Sequence, residues 1–237
     1  CLVGSEMCIR DRVLQRMKND LFSIGPFTVH GYGLMIAIGV LSAYYMVEYR
    51  AKKKQMDWEK VFPLTVWSVL GGFLGSKILY LLTRLPDILA NPALLGSSIK
   101  DGFVVYGGII GGILTAWIYC KCTKWNFWKI FDIAMPAVAM AQGFGRIGCL
   151  LAGCCYGIEL DPANPIGIVF HNSAYAPNDV ALLPTQIISS VLDFANCFVL
   201  LALSKKLKTD GQVASCYLIF YSIGRFVLEY FRGDLIR

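Results

Sequence analysis

The sequence places an arginine, Arg146, inside the apolar stretch GFGRIGCLLAGCCYG at residues 143–157. A charged side chain at bilayer depth costs about 2.5–3.5 kcal/mol on insertion scales, so an arginine retained there is expected to have a function. Its planar guanidinium would bind an anion, and phosphate oxygens in particular. The neighbouring Gly143, Gly145 and Gly148 favour this hypothesis, because glycines let backbone or a ligand approach closely. The alternative is that Arg146 extends to a nearby membrane interface, since it lies close to the end of its helix.

A second cluster of charge lies in the last apolar segment, which ends YSIGRFVLEYFRGD. Tyr221, Arg225 and Glu229 are spaced four apart and share one helix face, and Arg232 follows on the same side. Glu229 is the only obvious carboxylate of this cluster, so the arginines leave a net positive charge once Arg146 is included. An anion would stabilise that charge in a low-dielectric place, and a phospholipid headgroup is the simplest anion at this depth. The alternative is a structural Arg225–Glu229 pair that locks this helix against the one that carries Arg146.

The composition is that of a membrane protein. Hydrophobic residues make up 56% of the 237 residues and charged residues only 16%, and the mean hydropathy is +0.56. A soluble domain of this length rarely has such values, whereas a polytopic integral membrane protein does. The net charge of +6 does not indicate a nucleic-acid partner, because the lysines cluster in short loops between apolar segments.

Six apolar segments have about the length that a helix needs to cross a hydrocarbon core of roughly 30 Å. We therefore predict an all-α fold with about six, and at most seven, transmembrane helices. The segments are residues 32–47, 61–82, 103–120, 130–152, 186–203 and 213–231.

Basic loops alternate with non-basic loops along the chain. Lysines and arginines follow the first, third and fifth segments, whereas residues 154–185 contain none. Because cytoplasmic loops carry the excess of basic residues, we expect the basic loops inside and both termini outside. This topology brings Arg146, Arg225, Tyr32 and Tyr106 towards the outer leaflet.

Three cysteines, Cys149, Cys154 and Cys155, fall on the outer side in the same topology. A zinc site would need a fourth ligand, and His171 is the only histidine nearby. We therefore expect no metal and no cofactor, and interpret these cysteines as small inert residues or as an incidental redox pair.

Two glycine-rich motifs resemble each other, GGFLG at residues 71–75 and GGIIG at residues 107–111. Small residues at this spacing predict close packing of the second and third segments. A ligand channel between these segments is the alternative.

The first residues, CLVGSEMCIRDR, have no helical period and no signal-peptide layout. We interpret residues 1–16 as a non-native leader and predict one transmembrane domain over residues 17–237, with a long outer loop at 157–185.

Five motifs together resemble the prolipoprotein diacylglyceryl transferase family, in order and at plausible spacing from Phe22 onward. The stretch GRIGCLLAGCCYG is similar to the family signature, and LPTQ is similar to its HP-[ST]-Q motif. The other three are IGPFTVHGYGLM in the first segment, VYGGIIGG in the third and YSIGRFVLEYFRGD in the last.

The resemblance implies an activity, its partners and a location. Family members move the diacylglyceryl group of phosphatidylglycerol onto the lipobox cysteine thiol of a preprolipoprotein, which forms a thioether and releases glycerol phosphate. The expected partners are phosphatidylglycerol, a preprolipoprotein signal peptide and membrane lipids. The expected location is the bacterial inner membrane, with the site at the outer leaflet and the protein as a monomer.

The resemblance also implies site residues. Arg146 and Arg225 are expected to hold phosphate, Glu229 to orient Arg225 or accept a proton, and Tyr32 and Tyr106 to donate hydrogen bonds. The expected phospholipid-binding residues are Arg146, Arg225, Arg232, Gly145, Gly157 and Tyr221.

Several positions depart from the family pattern. Tyr106 stands where the family has a histidine, Cys149 where it has an asparagine and Cys154 where it has a glutamate. The histidine of the HP-[ST]-Q motif is Leu183 here. Two alternative functions therefore stay open: a non-catalytic phospholipid-binding paralogue, and a related transferase with a different acceptor.

Overall fold

A computed structural model describes residues 20–24, 27–91, 102–162, 164–171, 173 and 175–233. The leader predicted at residues 1–16 lies outside these ranges. Within them the chain forms seven α-helices, one 3-10 helix at Trp58–Lys60 and two small antiparallel sheets. The helices are α1 Gly31–Lys53, α2 Val61–Thr83, α3 Leu85–Ala90, α4 Val105–Cys122, α5 Phe127–Ala152, α6 Thr185–Leu203 and α7 Gln212–Glu229. The strands are β1 Asp20–Ile24, β2 Phe27–His30, β3 Ile168–Val169 and β4 Ala181–Leu182.

The protein is a multi-pass membrane protein, as predicted. Among the described residues, five helical stretches are long and apolar enough to cross a bilayer. The sixth predicted segment forms α7, which carries Arg225 and Glu229 and is not among the five. Large apolar side chains such as Phe73 and Phe198 are mostly exposed, which suits a lipid environment. The five stretches are Gly31–Lys53, Trp58–Thr83, Val105–Cys122, Phe127–Ala152 and Thr185–Leu203.

The chain divides into two compact units. One comprises the residues up to Met46 together with those from Ala134 onward, and the other runs from Val47 to Ile133. The single domain predicted for residues 17–237 stays a prediction.

In the unit from Val47 to Ile133, α2 and α4 pack along their glycines. A Cβ atom built on Gly107 would lie 2.3 Å from the carbonyl oxygen of Gly75, and one built on Gly111 would lie 2.3 Å from that of Gly71. Since real Cβ atoms never approach so closely, only glycine fits these positions. The predicted close packing is confirmed, and the two backbones fill the space that a channel between these glycines would need.

In the other unit, α5 contacts three helices. Gly39 on α1 lies against the α5 backbone. The Ser190 hydroxyl on α6 donates a buried hydrogen bond of 2.9 Å to the carbonyl oxygen of Gly143. The Tyr217 hydroxyl on α7 donates one of 2.9 Å to Gln142 Oε1. These contacts place the residues around Arg146 between α6 and α7.

The predicted outer loop at residues 157–185 is a folded segment. β3 pairs with β4 in antiparallel register, and a small apolar core lies beside them. Gly157 at its beginning forms an antiparallel bridge with Arg232, which follows α7. The core consists of Leu150, Phe170, Ala176 and Leu182.

Candidate functional site

A cavity of about 280 Å³ lies between α5, α6 and α7 in the unit that contains Arg146. Arg146 and Arg225, which the sequence places 79 positions apart, both line it. Most of the other lining side chains are apolar, so the cavity combines a charged region with an apolar wall. The lining residues are Arg146, Ser189, Leu192, Asp193, Ala195, Asn196, Val199, Phe220, Tyr221, Gly224, Arg225 and Leu228.

The glycines beside Arg146 have different surroundings. A Cβ atom on Gly143 would lie 2.8 Å from the Phe194 ring, and one on Gly148 would lie 3.1 Å from the Tyr32 ring. Gly145 has no such neighbour within 4 Å. Gly143 and Gly148 therefore make room for aromatic rings, whereas Gly145 faces open space and is not among the residues that line the cavity.

Arg225 and Arg232 share one carboxylate. Arg225 Nη2 lies 2.7 Å from Glu229 Oε2, and Arg232 Nη1 lies 3.7 Å from the same oxygen. The Arg225 pair lies along α7 at the i,i+4 spacing, so it does not itself cross to α5. The cross-helix bond is the one that Tyr217 donates to Gln142.

A second carboxylate, Asp193, was missed from the sequence. It lines the same cavity, is only 7% exposed and interacts electrostatically with Arg146. Its sequence signal is that it is the one acidic residue in the apolar segment at 186–203. Asp193 thus adds a second carboxylate to Glu229 among the described residues near Arg146 and Arg225, so the positive charge of this region is smaller than the sequence predicted.

Asn196 supplies a further polar atom to the cavity. Its Oδ1 is buried, and no residue that the structure describes donates a hydrogen bond to it. A buried acceptor of this kind is expected to bond to a ligand or to water. The cavity thus presents cations for an anion and acceptors, on Asn196 and Asp193, for hydroxyl groups.

The three tyrosines named from the sequence have different positions. Tyr221 lines the cavity and stacks on Tyr217, with ring centroids 5.8 Å apart. Tyr32 lies close enough to Arg146 to interact with it electrostatically. Tyr106 is the second residue of α4, is 74% exposed and belongs to the other unit, so its place in the site stays a prediction.

The turn after α5 brings three thiols together. Gly153 adopts a left-handed φ of 71°, its amide donates to the carbonyl oxygen of Leu150, and the Cys154 amide donates to that of Cys149. This is the Schellman pattern of helix termination, which folds the chain back over the last turn. As a result, the Sγ atoms of Cys149, Cys154 and Cys155 all lie within 4.8 Å of one another.

Residues at the beginning of α6 fix this turn from outside. The Gln186 side chain donates a hydrogen bond of 2.9 Å to the carbonyl oxygen of Cys154. The Thr185 hydroxyl donates one of 2.8 Å to that of Cys155. The backbone that carries the thiols is therefore held on both sides, by α5 and by α6.

Charge and hydrogen bonding shift the pKa values of the two thiols beyond α5, Cys154 and Cys155, in opposite directions. Hydrogen bonds from Cys149 and Cys154 lower the pKa of Cys155, and the positive charges of Arg146 and Arg232 act in the same direction. The pKa of Cys154 is raised by its hydrogen bonds with Cys149 and Cys155 and by burial. The group therefore favours one thiolate, on Cys155, over three neutral thiols.

Gly157 and His171 lie apart from the cavity lining. Gly157 is buried, and a Cβ atom there would lie 2.6 Å from the carbonyl oxygen of Leu183, so its position is set by packing. His171 Nδ1 lies 2.6 Å from Asp179 Oδ1 in the outer loop. Among the described residues, the group that could hold a metal contains the three cysteines and not His171.

Comparison with known proteins identifies the family of the chain. A family model described as prolipoprotein diacylglyceryl transferase matches residues 19–237. A relative from Clostridium tetani named phosphatidylglycerol–prolipoprotein diacylglyceryl transferase is 44% identical over 219 residues, which cover 92% of this chain and 86% of the relative. A second relative, from Clostridium perfringens and named phosphatidylglycerol–prolipoprotein diacylglyceryl transferase 2, is 43% identical over 92% of this chain and 84% of the relative. One from Staphylococcus carnosus is 32% identical over 90% and 78%. The chain belongs to the prolipoprotein diacylglyceryl transferase family.

Proposed function

We propose that this protein transfers the diacylglyceryl group of phosphatidylglycerol to the lipobox cysteine thiol of a preprolipoprotein. The observation that carries the proposal is that Arg146 and Arg225, from two different helices, line one cavity with a largely apolar wall. The names of the similar proteins, which specify phosphatidylglycerol and prolipoprotein, support the same substrates.

The arginines bind the phosphate of the donor lipid. Two guanidinium groups can engage phosphate oxygens through paired hydrogen bonds, so an anionic headgroup is the ligand that suits this part of the cavity. The same groups stabilise the charge that develops on the departing glycerol phosphate, which is where fixed cations accelerate such a reaction.

The polar acceptors of the cavity bind the glycerol headgroup. Phosphatidylglycerol ends in hydroxyl groups, which donate hydrogen bonds, and Asp193 and Asn196 offer acceptor oxygens beside the arginines. A lipid whose headgroup ended in an ammonium would meet two arginines instead. The acyl chains need no cavity of their own, because the membrane surrounds these helices.

In the reaction the sulfur of the acceptor cysteine attacks the carbon of the diacylglyceryl group that is bonded to the phosphate oxygen. A carbon–sulfur bond forms, the carbon–oxygen bond breaks, and the electron pair leaves on the phosphate oxygen. The thiol proton must pass to a base, since the thiolate is the nucleophile. Glu229, which lies 2.7 Å from Arg225, is our candidate to accept it or to orient Arg225. Tyr32 and Tyr106 are candidate hydrogen-bond donors.

The site lies at the outer leaflet of the bacterial inner membrane. This follows from the alternation of basic loops, which orients α5 and α7 with Arg146 and Arg225 near their outer ends. Both termini are then outside, and the protein acts as a monomer.

The test uses membranes from a strain depleted of its own transferase, supplied with this gene, phosphatidylglycerol and a lipobox peptide. We expect a thioether product, and we expect Arg146→Ala and Arg225→Ala to lower its rate by a factor of about 100 or more. Arg84→Ala is the matched control, because Arg84 is exposed and pairs with Asp87 at 2.9 Å. Folded protein that yields no thioether would overturn the proposal.

Two alternative functions give different results in the same experiment. The presence of Cys149 and Cys154, where the family has an asparagine and a glutamate, favours a phospholipid-binding paralogue. That paralogue would bind phosphatidylglycerol, with binding weakened by Arg146→Ala, and would form no product. A transferase with another acceptor would leave the peptide unmodified and change the cellular lipids, which mass spectrometry would detect.

A further inference from the structure

We propose that Cys149, Cys154 and Cys155 form a three-thiolate binding site for a soft d10 metal ion, with Zn²⁺ as the cation of first choice. The inference goes beyond the proposed function and does not depend on it, because the site is argued from these thiols alone.

The geometry fits a metal of this size. Three sulfur atoms within 4.8 Å of one another can each lie at most about 2.8 Å from a common centre, and a zinc–sulfur bond is about 2.3 Å long. The sulfur atoms therefore need to move inward by at most about 0.5 Å each, which side-chain rotation can supply.

The site is built by the backbone. The Schellman turn at Gly153 returns Cys154 to Cys149, and the left-handed φ of 59° at Cys155 turns the next residue. A non-glycine residue in this conformation is uncommon, and it persists only where the surrounding structure fixes it. Here Gln186 and Thr185 on α6 hold the two carbonyl groups.

The surrounding charge favours metal binding by thiolates. Metal ligation requires that each thiol lose its proton. Arg146 and Arg232 both lie close enough to Cys155 to interact with it electrostatically. Three thiolates with one Zn²⁺ carry a single negative charge, which these two guanidinium groups stabilise rather than oppose.

The donor set decides which metal binds. Thiolates select soft ions such as Zn²⁺ or Cu(I), and not Mg²⁺ or Ca²⁺. Since zinc prefers four ligands and the described residues supply three, the fourth position is open to an external ligand. A free thiol is the chemical class that best matches such a position.

The experiment measures metal binding by the full chain, purified in detergent under reducing conditions. We expect about one zinc per chain by elemental analysis, and a thiolate-to-metal charge-transfer band when Co²⁺ is added in its place. Cys149→Ser, Cys154→Ser and Cys155→Ser should each lose the band, whereas Cys122→Ser and Cys216→Ser should keep it. Thermal unfolding identifies any variant that does not fold.

Three results would overturn the proposal. The first is folded protein with reduced thiols that binds no more zinc than the triple serine variant. The second is a loss of metal in Cys122→Ser equal to that in Cys155→Ser. The third is a disulfide within the trio that persists under the reducing conditions and excludes the metal.

Discussion

Arg232 and Gly157 form an antiparallel β-bridge, which joins the segment after α7 to the beginning of the loop at residues 157–185. The amide of Gly233 donates to the carbonyl oxygen of Tyr156, and that of Ile158 donates to the carbonyl oxygen of Phe231, on either side of this bridge. The bridge fixes the position from which the Arg232 side chain reaches Glu229. An arginine outside the last helix is thereby held at the charge cluster.

Gly157→Ala should destabilise the protein by about 1–3 kcal/mol, because the new Cβ atom would lie 2.6 Å from the carbonyl oxygen of Leu183. Thermal unfolding in detergent measures the change. Gly145→Ala is the control, since nothing within 4 Å would meet its Cβ atom and alanine favours a helix. Equal melting temperatures for Gly157→Ala and the parent protein would contradict the close packing of Gly157 against Leu183.

Glu229→Gln should lower the rate of thioether formation by a factor of about 100 or more, if its carboxylate accepts the thiol proton or orients Arg225. Binding of phosphatidylglycerol vesicles should persist or strengthen, because the variant adds one net positive charge to the cluster. Glu59→Gln, at an exposed carboxylate in the 3-10 helix, is the matched control. A variant that retains the full rate would remove Glu229 from the reaction.

Asp193→Asn should make the stability of the protein depend on anionic lipid. The change removes a carboxylate that interacts with the partly buried guanidinium of Arg146, and an unbalanced charge away from water is costly. We expect a lower melting temperature in neutral detergent and its recovery when phosphatidylglycerol is added. Asp87→Asn, at an exposed carboxylate, should show no such dependence. If phosphatidylglycerol shifts both variants equally, Asp193 does not balance Arg146.

In metal-free protein, Cys155 should react with iodoacetamide at a rate that changes little between about pH 6 and pH 8, because the thiolate is the reactive form. The pKa of Cys155 is lowered, chiefly by the hydrogen bond with Cys149. Its thiolate therefore forms at a lower pH than that of an ordinary cysteine. Added glutathione, a free thiol with an ordinary pKa near 8.5, should instead react about tenfold faster for each pH unit in this range. Mass spectrometry of labelled peptides separates the two, and a parallel rise for both would contradict the assignment.

Gly75→Ala should destabilise the protein by about 1–3 kcal/mol, since its Cβ atom would lie 2.4 Å from the carbonyl oxygen of Gly107. Gly33→Ala on α1 is the control, because that position is open. Thermal unfolding compares the two, and indistinguishable curves would contradict the close packing of α2 and α4.

The helices could be predicted from the sequence to within a few residues, because bilayer thickness sets their length. The segment predicted at 130–152 is α5, Phe127–Ala152, and the segment predicted at 186–203 is α6, Thr185–Leu203. Spacing along the chain also predicted the pairing of Arg225 with Glu229, which the structure confirms at 2.7 Å. Local periodicity and hydrophobicity were sufficient for these features.

Other features depend on contacts that the sequence pattern does not reveal. Asp193 was overlooked because the sequence does not show which way a lone carboxylate in an apolar helix faces. Only the packing of α6 brings it close to Arg146. The short strands β3 and β4 have two residues each, too few for a period. The approach of Cys154 to Cys149 depends on the left-handed Gly153, which the sequence contains but which was not interpreted as a helix end.

The glycine contacts between α2 and α4 have a consequence for how a lipid enters the protein. Neither helix can slide by one residue, because a larger side chain would then meet the opposite backbone where only hydrogen atoms now fit. The two helices therefore form one rigid pair. A phospholipid that diffuses in from the bilayer has no lateral gate between them.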